Sequence, residues 1–278
     1  MNAVKPRAYP SWIVIFITIV LISFPLRTIL SSYFVYRANV SITNVDAEIG
    51  ESSMKPIIPE TILDYEAALR YLGFAKKITP GNSRIFKDSA ELRARLGKWK
   101  EIVTALKGGE DYGNLVTDGE YPAAIEDIRK AIFLEPTNPE YHLALAKLYA
   151  GSPGGEASAK NELERAVKAY PVNAPLRQAV ANQYLLAGMK GEAIAEAREL
   201  ARLDVIYLVP EYIKGSIYEE AWRSETISRI HGSYLFAAFE LVWRASGDRD
   251  VISGIAPDNP EAKEVLDAFF EWRGLEQE

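Results

Sequence analysis

PEYHLALAKLYAGSPGGEASAKNELERAVKAYPVNAPLRQAVANQYLLAGMKGEAIAEARELARLD, residues 139–204, decides how this chain folds. Apolar residues recur through it at helical spacing. Leu145, Ala146 and Tyr149 are followed by Ala159, Leu163 and Ala166, and then by Pro171. The pattern begins again near Ala174 and runs through Val180, Ala181, Tyr184, Gly188, Ala193, Ala197 and Leu200 to Asp204. A glycine or proline punctuates each turn, so the stretch is expected to form two successive helix–turn–helix units.

A spacing in the second helix of each unit extends the pattern beyond this stretch. Ala159, Ala166 and Pro171 stand seven and five residues apart. The triplets Ala68, Ala75, Pro80 and Ala124, Ala131, Pro136 repeat that spacing. Ala193, Leu200 and Val205 keep it without the proline. Small residues at these positions suit helices that cross closely, and the proline stops the helix. The pattern resembles the tetratricopeptide repeat (TPR), a unit of ~34 residues built from two antiparallel helices. The resemblance implies an all-α, right-handed superhelical solenoid of about five irregular antiparallel helix pairs, with the TPR-like repeats over residues 59–205. Divergent repeats and a capping helix are expected over 206–278, from the echoes of Pro139-Glu140-Tyr141 at Pro210-Glu211-Tyr212 and of Pro136-Thr137-Asn138-Pro139 at Pro257-Asp258-Asn259-Pro260.

Between the triplets at Pro80 and Pro136 the count departs from the repeat, since 56 residues separate them. Arg84 to Leu106 is expected to hold a helix pair turning at Gly97. Glu110 to Asp118 reads as a truncated helix or bulging loop. At Pro59 the solenoid is expected to begin, on the second helix of a partial repeat.

Upstream lies a different chemistry. Residues 1–11 form a short basic tail. From Trp12 to Tyr33 the chain is apolar with Arg27 as its one charge, and a spanning helix needs ~20 such residues. A single transmembrane helix is therefore expected over 12–36, with a polar linker over 37–58. Trp12, Tyr33, Phe34 and Tyr36 suit the interfacial belts, and Arg27 can snorkel. Two other readings stay open: a cleaved signal peptide, which the absence of a small-x-small site disfavours, and a buried soluble helix, which the all-round apolarity disfavours. Lys5 and Arg7 favour a cytoplasmic N-terminus.

Composition bounds the function. The chain has 278 residues, 48% apolar and 25% charged, with no cysteine. Thiolate and disulfide chemistry are excluded. The net charge is −6, and the four basic side chains of the first 37 residues leave the remainder more acidic still. That argues against nucleic acid, whose affinity comes from neutralised phosphates. No phosphate loop, metal-ligand spacing or nucleophile elbow occurs, so no catalytic residue, metal or cofactor is assigned. His142 and His231 are read as structural or surface residues. Glu110-Asp111 and Glu219-Glu220 are read as solvated, because adjacent residues on a helix do not face one another. Trp222-Arg223, Trp243-Arg244 and Trp272-Arg273 are read as packed tryptophans followed by exposed arginines.

The TPR resemblance also implies a function. First helices of such repeats line a concave groove that holds a protein or peptide partner. Lys147 and Asn182 take matching positions there, with Gln178 one turn before Asn182, and with Arg84 and Lys87 in an earlier repeat. Leu143 stands where a basic clamp residue is expected. The chain is thus expected to be a non-enzymatic, membrane-anchored scaffold of a bacterial envelope, secretion or surface-polysaccharide system. It would be single-pass in the inner membrane, with its repeats in the periplasm. Two alternatives are an accessory protein or enzyme acting on envelope glycans, and a self-assembling structural spacer. Oligomeric state is not legible.

Overall fold

The computed structural model describes residues 23, 25–43, 59–106, 119–203 and 233–275. All regular structure among them is helical. The chain divides into two compact units, Met1–Pro136 and Thr137–Glu278.

The first unit holds α1 (25–43), α2 (Pro59–Ile78), α3 (Ser83–Leu106) and α4 (Glu120–Leu134). Helices α1 and α2 run antiparallel. Ser31 Oγ lies 2.7 Å from Thr79 Oγ1, while Arg37, further along α1, reaches back to the Tyr71 hydroxyl. Phe34 packs on Tyr71 and Phe74, and Ala38 is buried among Tyr65, Ala68, Leu72 and Ala75. These contacts correct two expectations. Residues 37–43 are helical, not an extended linker. The partial repeat is complete, because α1 is the first-helix partner of α2. The physical reason is the alternation of surfaces on α1. Ser31, Phe34 and Ala38 fall on one face at helical spacing. Most of the apolar run that reads as a spanning helix, 12–22 with Phe24, and the linker residues 44–58 lie outside the described residues. No described helix is long and apolar enough to cross a membrane.

Helix α3 is also a correction. It runs uninterrupted through Gly97, which makes no turn. A methyl group at Gly97 would sit 3.0 Å from the Tyr121 ring of α4. The glycine is there to let that ring lie against α3. Helices α3 and α4 are antiparallel: Ser83 meets Glu135, Ser89 meets Asp127, and Lys100 meets Glu120. The irregular count before Pro136 follows in part from α3, whose 24 residues double the 12 of α5 (Pro139–Ala150). The Glu110–Asp118 stretch lies outside the described residues.

The second unit continues from α5 with α6 (Glu156–Ala169), α7 (Ala174–Leu186), α8 (Lys190–Leu203), α9 (Tyr234–Ser246), α10 (Arg249–Ser253) and α11 (Pro260–Trp272). Its first helices start alike. Asn138 and Asn173 each accept a backbone N–H from the first turn, with a proline at the first or second helical position. That combination satisfies orphan donors and presets φ. Helix α7 packs on α8, on α6 and on α5, and α9 packs on α8 and α7 in the same manner. So α9 continues the stack as the next first helix. Asn259 caps α11 as Asn138 caps α5. Phe269 and Trp272 of α11 meet Phe236 of α9 edge-on at 5.3 and 5.4 Å. Residues 204–232, including the helix expected over Glu211–Arg223, lie outside the described residues.

The triplet alanines are where helices cross. Ala68, Ala75, Ala124, Ala131, Ala159 and Ala166 are all fully buried. Around Ala166 the core contains Ala146, Leu163, Val180 and Tyr184. Ala166→Glu would place a charge there without a partner. Urea unfolding should show a loss on the order of 3 kcal/mol or more. An unchanged midpoint and slope would mean that this crossing is not packed.

Candidate functional site

The second helices α4, α6 and α8 carry an acid three residues after their first small alanine: Asp127 after Ala124, Glu162 after Ala159, Glu196 after Ala193. One helical turn brings it to the face that meets the paired helix. Each acid is consumed there. Asp127 accepts from Lys76 Nζ at 2.5 Å, Ser89 Oγ at 2.7 Å and Arg93 Nε at 3.3 Å. Glu162 lies 2.7 Å from His142 Nδ1 and accepts from Arg165 at 2.9 Å. Glu196 accepts from Arg177 Nη1 at 2.5 Å, and Arg177 Nε also donates to the Pro171 carbonyl at 2.6 Å. His142 and Arg177 each lie four residues past the capping asparagine of their helix, so the pairs Glu162–His142 and Glu196–Arg177 are equivalent.

Burial leaves its mark on these groups. It pulls the Lys76 ammonium below its ordinary value, with Asp127 opposing. It pushes the Glu196 carboxyl up, with Arg177 opposing. The pairs join helices within a repeat and, through Lys76, across one. No described group of three or more His, Asp and Glu is placed to hold a metal.

The residues expected to bind a partner fall in both units. In the second, Lys147 is exposed on α5, while Gln178 and Asn182 are half-buried on α7. Helices α5 and α7 touch, so Lys147 and Asn182 lie on adjacent first helices. Asn182 is not idle. Its Nδ2 donates to the Gln178 carbonyl at 3.0 Å, and its Oδ1 accepts from Arg244 Nη1 at 3.2 Å. Arg244 of α9 therefore joins the row, a residue the sequence reading left aside. The signal lay in Trp243-Arg244: Trp243 packs at the core edge and leaves Arg244 on the surface. The other described pair differs, since Trp272 stays half-exposed with Arg273 stacked on its ring and bonded to Glu240. In the first unit Arg84 is exposed at the start of α3, and Lys87 pairs with Glu91 at 3.3 Å. His231, Trp222-Arg223, Glu110-Asp111 and Glu219-Glu220 lie outside the described residues.

Consecutive helix hairpins, small residues at each crossing and first helices stacked on the preceding pair define an all-α, TPR-like protein of paired-helix repeats. Among solved structures the chain is similar to a crystal structure of MamA protein, with 13% identity over 88% of this chain and 92% of that one and a TM-score of 0.46. A second crystal structure of MamA has 15% identity over 76% and 90%, with a TM-score of 0.43. The C-terminal part of a TPR repeat-containing protein from Cytophaga hutchinsonii has 15% identity over 87% and 99%, with a TM-score of 0.26. No family profile and no curated protein sequence matches the chain.

Glu196 has a pH signature. Its carboxyl is raised above 4.5, so the folded chain keeps a proton that the unfolded chain has released. Its stabilisation is complete below the unfolded value and is lost as pH rises through the folded one. Urea unfolding from about pH 4 to pH 7 should show wild-type stability falling relative to Glu196→Gln as pH rises. Parallel curves would remove burial as the cause.

Proposed function

We propose that the chain is a non-enzymatic scaffold that holds a protein partner at a membrane surface, in the assembly of a bacterial envelope, secretion or surface-polysaccharide system. The observation that carries this reading is the row Lys147, Gln178, Asn182 and Arg244 across adjacent first helices. An ammonium and a guanidinium suit a carboxylate, and two carboxamides suit an extended peptide backbone. The repeated acids, which an enzyme would need free, are used to join helices. The apolar run Trp12–Tyr33 supports a single inner-membrane anchor, with the N-terminus cytoplasmic and the repeats periplasmic. Pathway and compartment rest on the resemblance to TPR proteins of the envelope.

Two expected outcomes test the binding row. Lys147→Ala should change folding stability by less than about 0.5 kcal/mol. Asn182→Ala should cost about 1 kcal/mol, because the Arg244 hydrogen bond goes with it. Each should weaken binding of a partner, captured by crosslinking in native membranes, by roughly 1 kcal/mol or more in calorimetry. Unchanged affinity in the double variant would remove this row as the binding surface. The anchor is tested separately: the full chain should stay with membranes through an alkaline carbonate wash, and its release would remove the anchor.

A further inference from the structure

One end of the first unit combines apolar exposure with positive charge. The Ser31–Thr79 contact aligns Ser31 with the end of α2. Residues 25–30 therefore overhang α2, and all six are exposed. Six helical residues extend ~9 Å. Leu26, Ile29 and Leu30 lie in that overhang at 52%, 65% and 42% exposure. The Ser83–Glu135 hydrogen bond, 2.5 Å, brings the end of α4 to the start of α3, and so to the same end. There Phe133 is 75% exposed, with the Lys130 ammonium 4.7 Å from its ring centre. Monomeric domains rarely leave such side chains bare together.

Basic residues predominate around this apolar surface. Arg27 sits in the overhang, Lys77 in the last turn of α2, Arg84 in the first turn of α3, and Lys130 near the end of α4; all are exposed. Helix α1 has no acid along residues 25–43. Glu135, which closes α4, is bonded to Ser83.

We infer that this end of the first unit docks on the headgroup layer of an anionic phospholipid bilayer, with the α1 overhang inserted and the basic residues on the lipid phosphates. The inference rests on the anchored reading above, and adds to it a fixed seat in place of a loose tether. The dimensions agree. A helix over Trp12–Leu30 would measure about 28 Å, close to the ~30 Å hydrocarbon core, so the overhang completes the span and brings the ends of α2 and α4 and the start of α3 to the headgroups. Leucine and isoleucine suit the depth, and arginine reaches back to phosphate. The outward face of α1 opposes the face fastened to α2, so insertion leaves the Phe34–Ala38 packing intact.

The chain has no cysteine, so one introduced label reports one place. A Cβ at Gly81, in the turn between α2 and α3, meets nothing within 4 Å. Leu63 is exposed in the first turns of α2, at the opposite end. Full-length Gly81→Cys and Leu63→Cys, each carrying a fluorophore, are reconstituted into phosphatidylcholine vesicles with or without phosphatidylglycerol. A headgroup-level spin-labelled lipid serves as quencher. The Gly81 label should be quenched with phosphatidylglycerol, and the Leu63 label should not. Lys77→Glu and Arg84→Glu should each weaken docking about fivefold or more, and salt should weaken it further. Protein that floats with vesicles while its Gly81 label behaves like the Leu63 label overturns the docking and leaves the anchor standing. Protein that fails to float overturns both. Quenching that ignores phosphatidylglycerol and charge reversal, with energy transfer between labelled copies, assigns this end to a second copy and overturns the lipid seat.

Discussion

Where α6 crosses its neighbours, Ala159 and Ala166 present only methyl groups, and neither leaves any surface to solvent. The same holds at Ala124 and Ala131 on α4, and at Ala68 and Ala75 on α2. This closeness is what the rest of the structure depends on. Helix axes 8–10 Å apart let side chains of one helix reach the backbone surface of the next. An acid three residues beyond the first alanine then arrives at a cation on the paired helix. With a large residue at the crossing, the Asp127, Glu162 and Glu196 carboxylates would be held off from Arg93, His142 and Arg177.

Those ion pairs are weak evidence for stability, because taking two charges from water offsets much of their attraction. Their consequence is register. A slip of one residue between α5 and α6 would leave Glu162 and His142, both buried, without each other. Losing a buried hydrogen bond costs about 1–3 kcal/mol, a penalty that an apolar core alone would not impose on a slipped pairing. Among the described residues, Asp127, Glu162 and Glu196 each fasten one helix to its pair in this way.

The first pair has a different interior. At the position of Asp127, helix α2 carries Tyr71, which accepts from Arg37 and stacks with Phe34. Aromatic packing thus replaces the ion pair where α1 is the partner. Helix α1 has two chemically distinct faces. One carries Phe34 and Ala38 into the core, and the other leaves Leu26, Ile29 and Tyr33 bare. A segment of this kind joins the apolar N-terminal run to the repeats without a hinge between residues 25 and 43.

The hairpins α5–α6 and α7–α8 were legible in the sequence because their information is local. Capping asparagines, helical spacing of apolar residues and turn-closing glycines and prolines lie within one repeat. The alanine triplets likewise named the crossing points. Lys147 could be placed on the surface from helical phase alone. What tertiary structure decided was which surfaces meet. Gly97 looked like a turn because glycine breaks helices, yet the Tyr121 ring 3.0 Å from its would-be Cβ explains it as a contact. Residues 25–43 looked like anchor and linker because hydropathy averages over faces, and only packing against Tyr65 and Leu72 separates the two sides of that helix. Asn182 looked free because its partner, Arg244, lies 62 residues away. The Ala-x-x-acid spacing of α4, α6 and α8 was present in the sequence, but its meaning was not, since a carboxylate's role depends on the cation that the neighbouring helix brings to it.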